Sequence, residues 1–175
     1  MHKFFFTLLL FTTVNSFSQS KNDSLINTIK AADKILFTSH TDLYVIERKK
    51  SKYKHEYIDI YHDLLKNGKP NKKIIKEKVV LDSVNKSTLI HLISNQNPEE
   101  NHEGAFSFIP HHTIFILKNK KWEYIDICFG CNNYNFSDGI NINKKTFLKS
   151  YEDWRKLEDF FRKLNLTYQL PKQKN

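Results

Sequence analysis

Sulfur is scarce in this sequence: 175 residues contain one methionine and two cysteines. Two cysteines are too few for a multi-bridge disulfide scaffold or for the two paired-cysteine knuckles of a strong zinc-ribbon pattern. Glycine and proline number four each, which excludes collagen-like and Gly/Pro-rich low-complexity chains. No glycine-rich phosphate loop and no nucleophile elbow around a serine is present. Internal repeats are absent, and so is a recognisable nucleic-acid-binding module. The apolar block Phe4 to Val14 is about half the roughly twenty residues a helix needs to cross a bilayer.

The residues that are present describe a globular chain. Hydrophobic residues make up 39% and aromatics 14%, the latter carried mainly by 14 Phe and 8 Tyr. Such a length accommodates one domain with a real core and leaves no room for two. The opening "MHKFFFTLLLFTTVNSFSQS" runs from a basic start through an apolar block into small polar residues, the pattern of a secretory signal peptide. Ser16 and Ser18 suit a signal peptidase pocket and place the cut before Gln19. The expected organisation is a leader at 1–18, one domain at 19–170 and a frayed tail at 171–175. Periplasmic or secreted location follows as an expectation, with no membrane span once the leader is removed.

Positive charge is unevenly spread. The formal net charge is +9, and between Glu47 and Lys78 eleven Lys or Arg face five Asp or Glu, a local net of +6. Arg48, Lys49, Lys50, Lys52 and Lys54 form its densest part. Clustered cations favour anionic polymers through counterion release. Lysines that protect exposed strand edges from aggregation account for the same pattern.

Periodicity supplies the elements. "KNDSLINTIKAADKILF" reads as an amphipathic helix capped near Asn22 to Ser24, with Leu25, Ile29, Ala32 and Leu36 on one face. "DLYVIE" and "YKHEYIDIYHDLL" read as strands, the second alternating Ile58 and Ile60 against Tyr57, Asp59 and Tyr61. Asn67-Gly68 marks a tight turn, Lys76 to Leu81 a strand, and Asp82 the cap of a three-turn helix. A polar loop precedes the clearest hairpin, "HTIFILKNKKWEYIDICF", whose register pairs Leu117 with Trp122, Phe115 with Tyr124, Thr113 with Asp126 and His111 with Cys128. "NNYNFSDG" has turn composition. Phe147, Tyr151, Trp154, Leu157, Phe161 and Leu164 form a helical core stripe.

Both cysteines sit at the end of that hairpin, with two residues between them. In an exported chain a disulfide is the first reading; its small ring adds at most about 2 kcal/mol, so its role is local. A thiol-exchange couple requires a helix starting at the first cysteine, and the residues that follow favour a turn. A zinc site is the third reading, with His111, Cys128 and Cys131 as ligands and His102 or His112 as the fourth. Adjacent histidines on a strand point to opposite faces, so only one of His111 and His112 joins easily.

The segments "KVVLDSVNKSTLIHLIS", "FSFIPHHTIFI", "YIDICFGCNN" and "LEDFFRKLNL" together resemble a group of exported Bacteroidetes-type proteins that have no assigned activity. In that group a Pro-Arg-His strand start precedes a Cys-Phe-x-Cys strand end and a closing helix. The resemblance spans roughly Lys78 to Leu166. This chain has His111 at the group's Arg and Phe106 where members often carry a further Cys, which weakens an inherited three-thiol metal site. The resemblance implies export and the hairpin, and no chemistry.

The expected fold is α+β, an antiparallel sheet of about five or six strands packed by two or three helices. The expected function is a non-enzymatic exported binding or accessory protein acting through the basic surface or the His111–Cys128 region. No cofactor is expected, zinc being the alternative. The alternatives are a metal- or thiol-dependent enzyme centred on His111, Cys128 and Cys131, and an immunity or inhibitor protein.

Overall fold

A computed structural model describes residues 23–50, 55–96, 105–143 and 147–172. Its first element is α1 (Asp23–Lys30), whose Leu25, Ile26 and Ile29 are buried. The expected helix stops there. Leu36 belongs instead to strand β1 (Lys34–His40), buried at every position after Lys34. The correction has a physical cause. Ile35-Leu36-Phe37 is a short continuous apolar run, and such a run suits a strand covered on both faces as well as it suits a helix.

Among the described residues β2 (Tyr44–Lys50) and β3 (His55–Tyr61) pair only with each other, as a two-stranded sheet. The tiny strands β4 (Leu65–Lys66) and β5 (Lys69–Pro70) close around Asn67 and Gly68, whose φ values are 51° and 70°. Glycine takes that left-handed conformation without steric cost, and Asn is the next best tolerated residue. β6 (Ile75–Val80) leads to α2 (Ser83–Ser94), where the Asp82 side chain accepts from the Asn85 N–H, as expected of the cap.

β7 (His112–Lys118) and β8 (Lys121–Cys128) turn through Asn119 and Lys120, both at positive φ. The observed pairs Leu117–Trp122, Phe115–Tyr124 and Thr113–Asp126 match the expected register. A four-residue connection then leads to β9 (Asn133–Phe136), so part of the stretch read as turn is an edge strand. Its Asn residues alternate with Tyr134 and Phe136, and those two rings pack against the core. The final helix is α3 (Tyr151–Lys163), capped by Ser150, whose side chain accepts from the Asp153 N–H. Trp154, Leu157, Phe160 and Phe161 are buried on it, whereas Tyr151 faces solvent and Phe147 is buried ahead of the helix. The stripe therefore begins one turn later than its spacing suggested, because the cap at Ser150 sets the start.

The main sheet has the order β6-β1-β7-β8-β9, antiparallel throughout. With the three described helices it makes an α+β domain. One face, carrying Phe37, Ile114, Ile116, Ile125 and Ile127, packs under all three helices. The other, carrying Leu36 and Phe115, is covered by Leu64 and Ile74 and by partly buried neighbours.

Candidate functional site

Toward one end of this sheet the second face turns polar. Thr38, His40, Thr113 and Asp126 are almost wholly buried there. Antiparallel register produces the cluster: Thr38 lies opposite Thr113, which lies opposite Asp126. His40, two residues beyond Thr38, points to the same face. Thr113 Oγ1 donates to Asp126 Oδ1 (2.9 Å), and His40 Nε2 lies 3.3 Å from the same oxygen. His40 Nδ1 contacts the Thr41 carbonyl at 2.8 Å. A carbonyl only accepts, so that nitrogen carries a proton. One further proton is then held between Nε2 and the carboxyl. Burial pushes the Asp126 carboxyl up, opposed by the bonds from His40 and Thr113. Wherever that proton resides the pair has no net charge, which is how an acid and an imidazole persist in an apolar sheet.

Two more histidines adjoin. His111 Nε2 lies 3.5 Å from Asp42 Oδ1, and the His111 ring sits 6.3 Å from that of His40. His112 points to the helix face, where its ring meets the edges of Phe129 at 5.1 Å and Phe161 at 5.4 Å. Burial, reinforced by His40 and His111, lowers its pKa to about 3. The sequence points to His111 and not to His40, because the apolar run at the start of β1 has a helix-like spacing and nothing marks the residues after it as strand. The continuous burial of Thr38-Ser39-His40 has no separate signature in a single sequence.

Cys128 and Cys131 stand at disulfide-bonding distance, with Cα atoms 5.4 Å apart. Cys128 pairs with Asn133 across the β8–β9 turn, so the bond staples a hairpin connection. No helix follows Cys131. A cleft of about 460 Å³ opens between residues 107–112, this turn and the segment Gln169–Pro171. His111, Cys128 and Cys131 all line it. Among the described residues no group of three or more His, Cys, Asp or Glu is arranged to hold a metal, and His102 lies outside the described residues.

The β2–β3 hairpin is the second candidate surface. On one face Tyr44 opposes Tyr61, Ile46 opposes Asp59, and Arg48 opposes Tyr57. Tyr44, Ile46, Tyr57 and Tyr61 are 44%, 56%, 66% and 75% exposed. Tyr44 OH donates to Asp59 Oδ1 (2.9 Å), and the Tyr44 and Tyr61 rings lie 4.8 Å apart. The opposite face, with Val45, Ile58 and Ile60, is half-buried. Lys49 and Lys50 extend the same strands, while Lys52 and Lys54 lie outside the described residues. No helix among the described residues is long and apolar enough to cross a membrane.

Compared with known proteins, the chain matches no family model, no curated protein and no solved structure.

Proposed function

We propose that the chain is an exported, non-enzymatic binding protein that holds an acidic polysaccharide on the β2–β3 hairpin. The observation that carries this reading is an exposed row of three tyrosines and Ile46 on a hairpin outside the main sheet. A contiguous apolar patch of this kind marks an interaction surface. The local net charge of +6 between Glu47 and Lys78 opposes pairing of two copies and favours an anionic partner. Asp59 at the centre of the face narrows the choice. A carboxylate there accepts hydrogen bonds from the several hydroxyls each sugar offers, groups that a DNA backbone lacks, while the lysines and Arg48 on the same hairpin balance the polymer's own acid groups.

The test is binding of the purified chain to polygalacturonate, with neutral dextran and oligo-dT DNA as comparisons. Polygalacturonate is expected to bind best and to weaken as salt rises. Tyr57→Ala with Tyr61→Ala should weaken binding about tenfold or more at an unchanged melting temperature. Equal binding of DNA that ignores the tyrosine changes would reduce the hairpin to a charge patch and overturn the reading.

The enzyme reading centred on His111, Cys128 and Cys131, in its metal-binding or nucleophilic form, requires separated thiols. Bonded to each other, the sulfurs offer neither thiolate ligands for zinc nor a nucleophile. The immunity or inhibitor reading has no residue pattern behind it.

A further inference from the structure

The centre of the tyrosine face on the β2–β3 hairpin is poor in hydrogen-bond donors. On β3, Tyr57, Asp59 and Tyr61 follow one another on one side of the strand at intervals of about 7 Å, so a carboxylate sits between two exposed rings. Across the ladder Tyr44 opposes Tyr61 and Ile46 opposes Asp59. Tyr44 OH donates to Asp59 Oδ1 (2.9 Å), and the Tyr44 ring rests against that of Tyr61 at 4.8 Å. The tyrosine that holds the carboxylate is thus itself held by a neighbouring ring. Among the described residues no second group donates to Asp59.

The direction of that bond decides what the centre of the face offers. An ionised carboxylate has no proton to give, so the phenol is the donor and its proton is committed to Asp59. The bond holds the Tyr44 hydroxyl above the ordinary tyrosine range, and its oxygen keeps only lone pairs for a ligand. Asp59 Oδ2 is likewise an acceptor. A polymer lying on the face therefore has to bring O–H or N–H groups to match them. Charge alone points elsewhere. A local net of +6 draws sulfated polymers at least as strongly as polymers acidified by carboxyl groups only. A sulfate ester, however, replaces a hydroxyl donor by oxygens that only accept, and it sets further negative charge against Asp59. O-acetylation removes the donor without adding charge.

We infer that the hairpin selects polyuronates whose ring hydroxyls are free, and that Asp59, positioned by Tyr44, rejects their O-sulfated and O-acetylated forms. This selectivity rests on the polysaccharide reading above and narrows the class of polymer that the same face takes. Tyr57 and Tyr61 supply rigid, amphipathic contact area, and the lysines supply attraction to carboxylates. Neither distinguishes a hydroxyl from its ester. Asp59 does, because a hydrogen bond to a charged acceptor separates the two by about tenfold.

Binding of the full chain to polygalacturonate, to its O-acetylated derivative and to its O-sulfated derivative, at one ionic strength, separates these requirements on a constant backbone. The unmodified polymer is expected to bind about tenfold or more tightly than either derivative. Asp59→Asn keeps the size of the side chain and adds an amide donor, and it should bring the sulfated polymer to within about threefold of the unmodified one at an unchanged melting temperature. Tyr44→Phe keeps the ring and removes the donor, so the preference for free hydroxyls should fall by about threefold. A purely structural role for Tyr44 would instead weaken all three polymers alike. Should Asp59→Asn fail to fold, the ratio of acetylated to unmodified polymer on the parent protein decides the matter. Equal binding of acetylated and unmodified polymer, tighter binding of the sulfated one, or an Asp59→Asn variant with the parent's preference overturns the inference and leaves the hairpin reading in place. No binding of polygalacturonate, or binding that ignores Tyr57→Ala with Tyr61→Ala, overturns the hairpin reading and this selectivity with it.

Discussion

His112 is a neutral imidazole enclosed by aromatic rings, and its burial has a consequence for stability. Its folded pKa of about 3 lies below the ordinary histidine value near 6.5. Between those values the unfolded chain binds the extra proton and the folded chain does not, so stability falls as pH falls through that window. Above pH 6.5 the contribution is fully present. Between pH 6.5 and 5 the expected loss from this one residue is about 2 kcal/mol. Urea unfolding of the protein and of His112→Gln at the two pH values isolates it as the difference in pH dependence. A variant with the same pH dependence as the parent would refute the assignment. The three histidines differ in legibility. His111 was recognisable from the hairpin register, and His112 only as an alternative fourth metal ligand, not as a core imidazole. His40 went unrecognised because its importance depends on a strand pairing that leaves no local mark.

Turns and caps are the elements that local chemistry specifies best. Asp82 and Ser150 each accept from the backbone N–H three residues on, which satisfies one of the helix's unpaired donors and accounts for about 1 kcal/mol apiece. The β7–β8 turn is less well matched. Asn119 and Lys120 both adopt positive φ, 50° and 64°, and only the first is a residue suited to it. Lys120→Gly should relieve left-handed strain of roughly 1–2 kcal/mol, offset by about 0.4–1 kcal/mol of added freedom in the unfolded chain. A net gain of about 0.5 kcal/mol is expected, read as a higher urea midpoint at unchanged slope. A lower midpoint would mean that the lysine side chain contributes more than its backbone costs. Element types were legible wherever such signals bracketed them. They were misread at β1, where a three-residue apolar run follows a helix with only the four residues Ala31 to Lys34 between, and at β9, whose asparagines resemble a turn.

At the scale of the whole molecule the disulfide is a local staple on a fold held by its apolar layers. The helix-side core contains Phe37, Phe161, Trp154 and Ile114 among many others, and it meets the bridge through Phe129, whose ring packs against Trp154 and Phe161. Converting Cys128 and Cys131 together to Ala should lower stability by about 2 kcal/mol, the loop-closure contribution of so small a ring. Far-ultraviolet circular dichroism of that variant should match the parent, because the sheet order does not depend on the bond. Complete unfolding would show that the β8–β9 turn, and with it the edge strand, needs the covalent closure.

Local information was sufficient for much of this architecture. Apolar spacing, cap residues and turn pairs act over a few residues, and they determine helices α2 and α3, the β7–β8 register and the exposed face of β3 directly from the order of amino acids. The polar cluster was decided otherwise. Thr38 donates to the Thr113 carbonyl across a separation of 75 residues, and His40 meets Asp126 across 86. Nothing near any of these residues encodes those meetings. They arise because β1, apolar on both faces, lowers the free energy most when inserted between β6 and β7, and that burial carries His40 to Asp126.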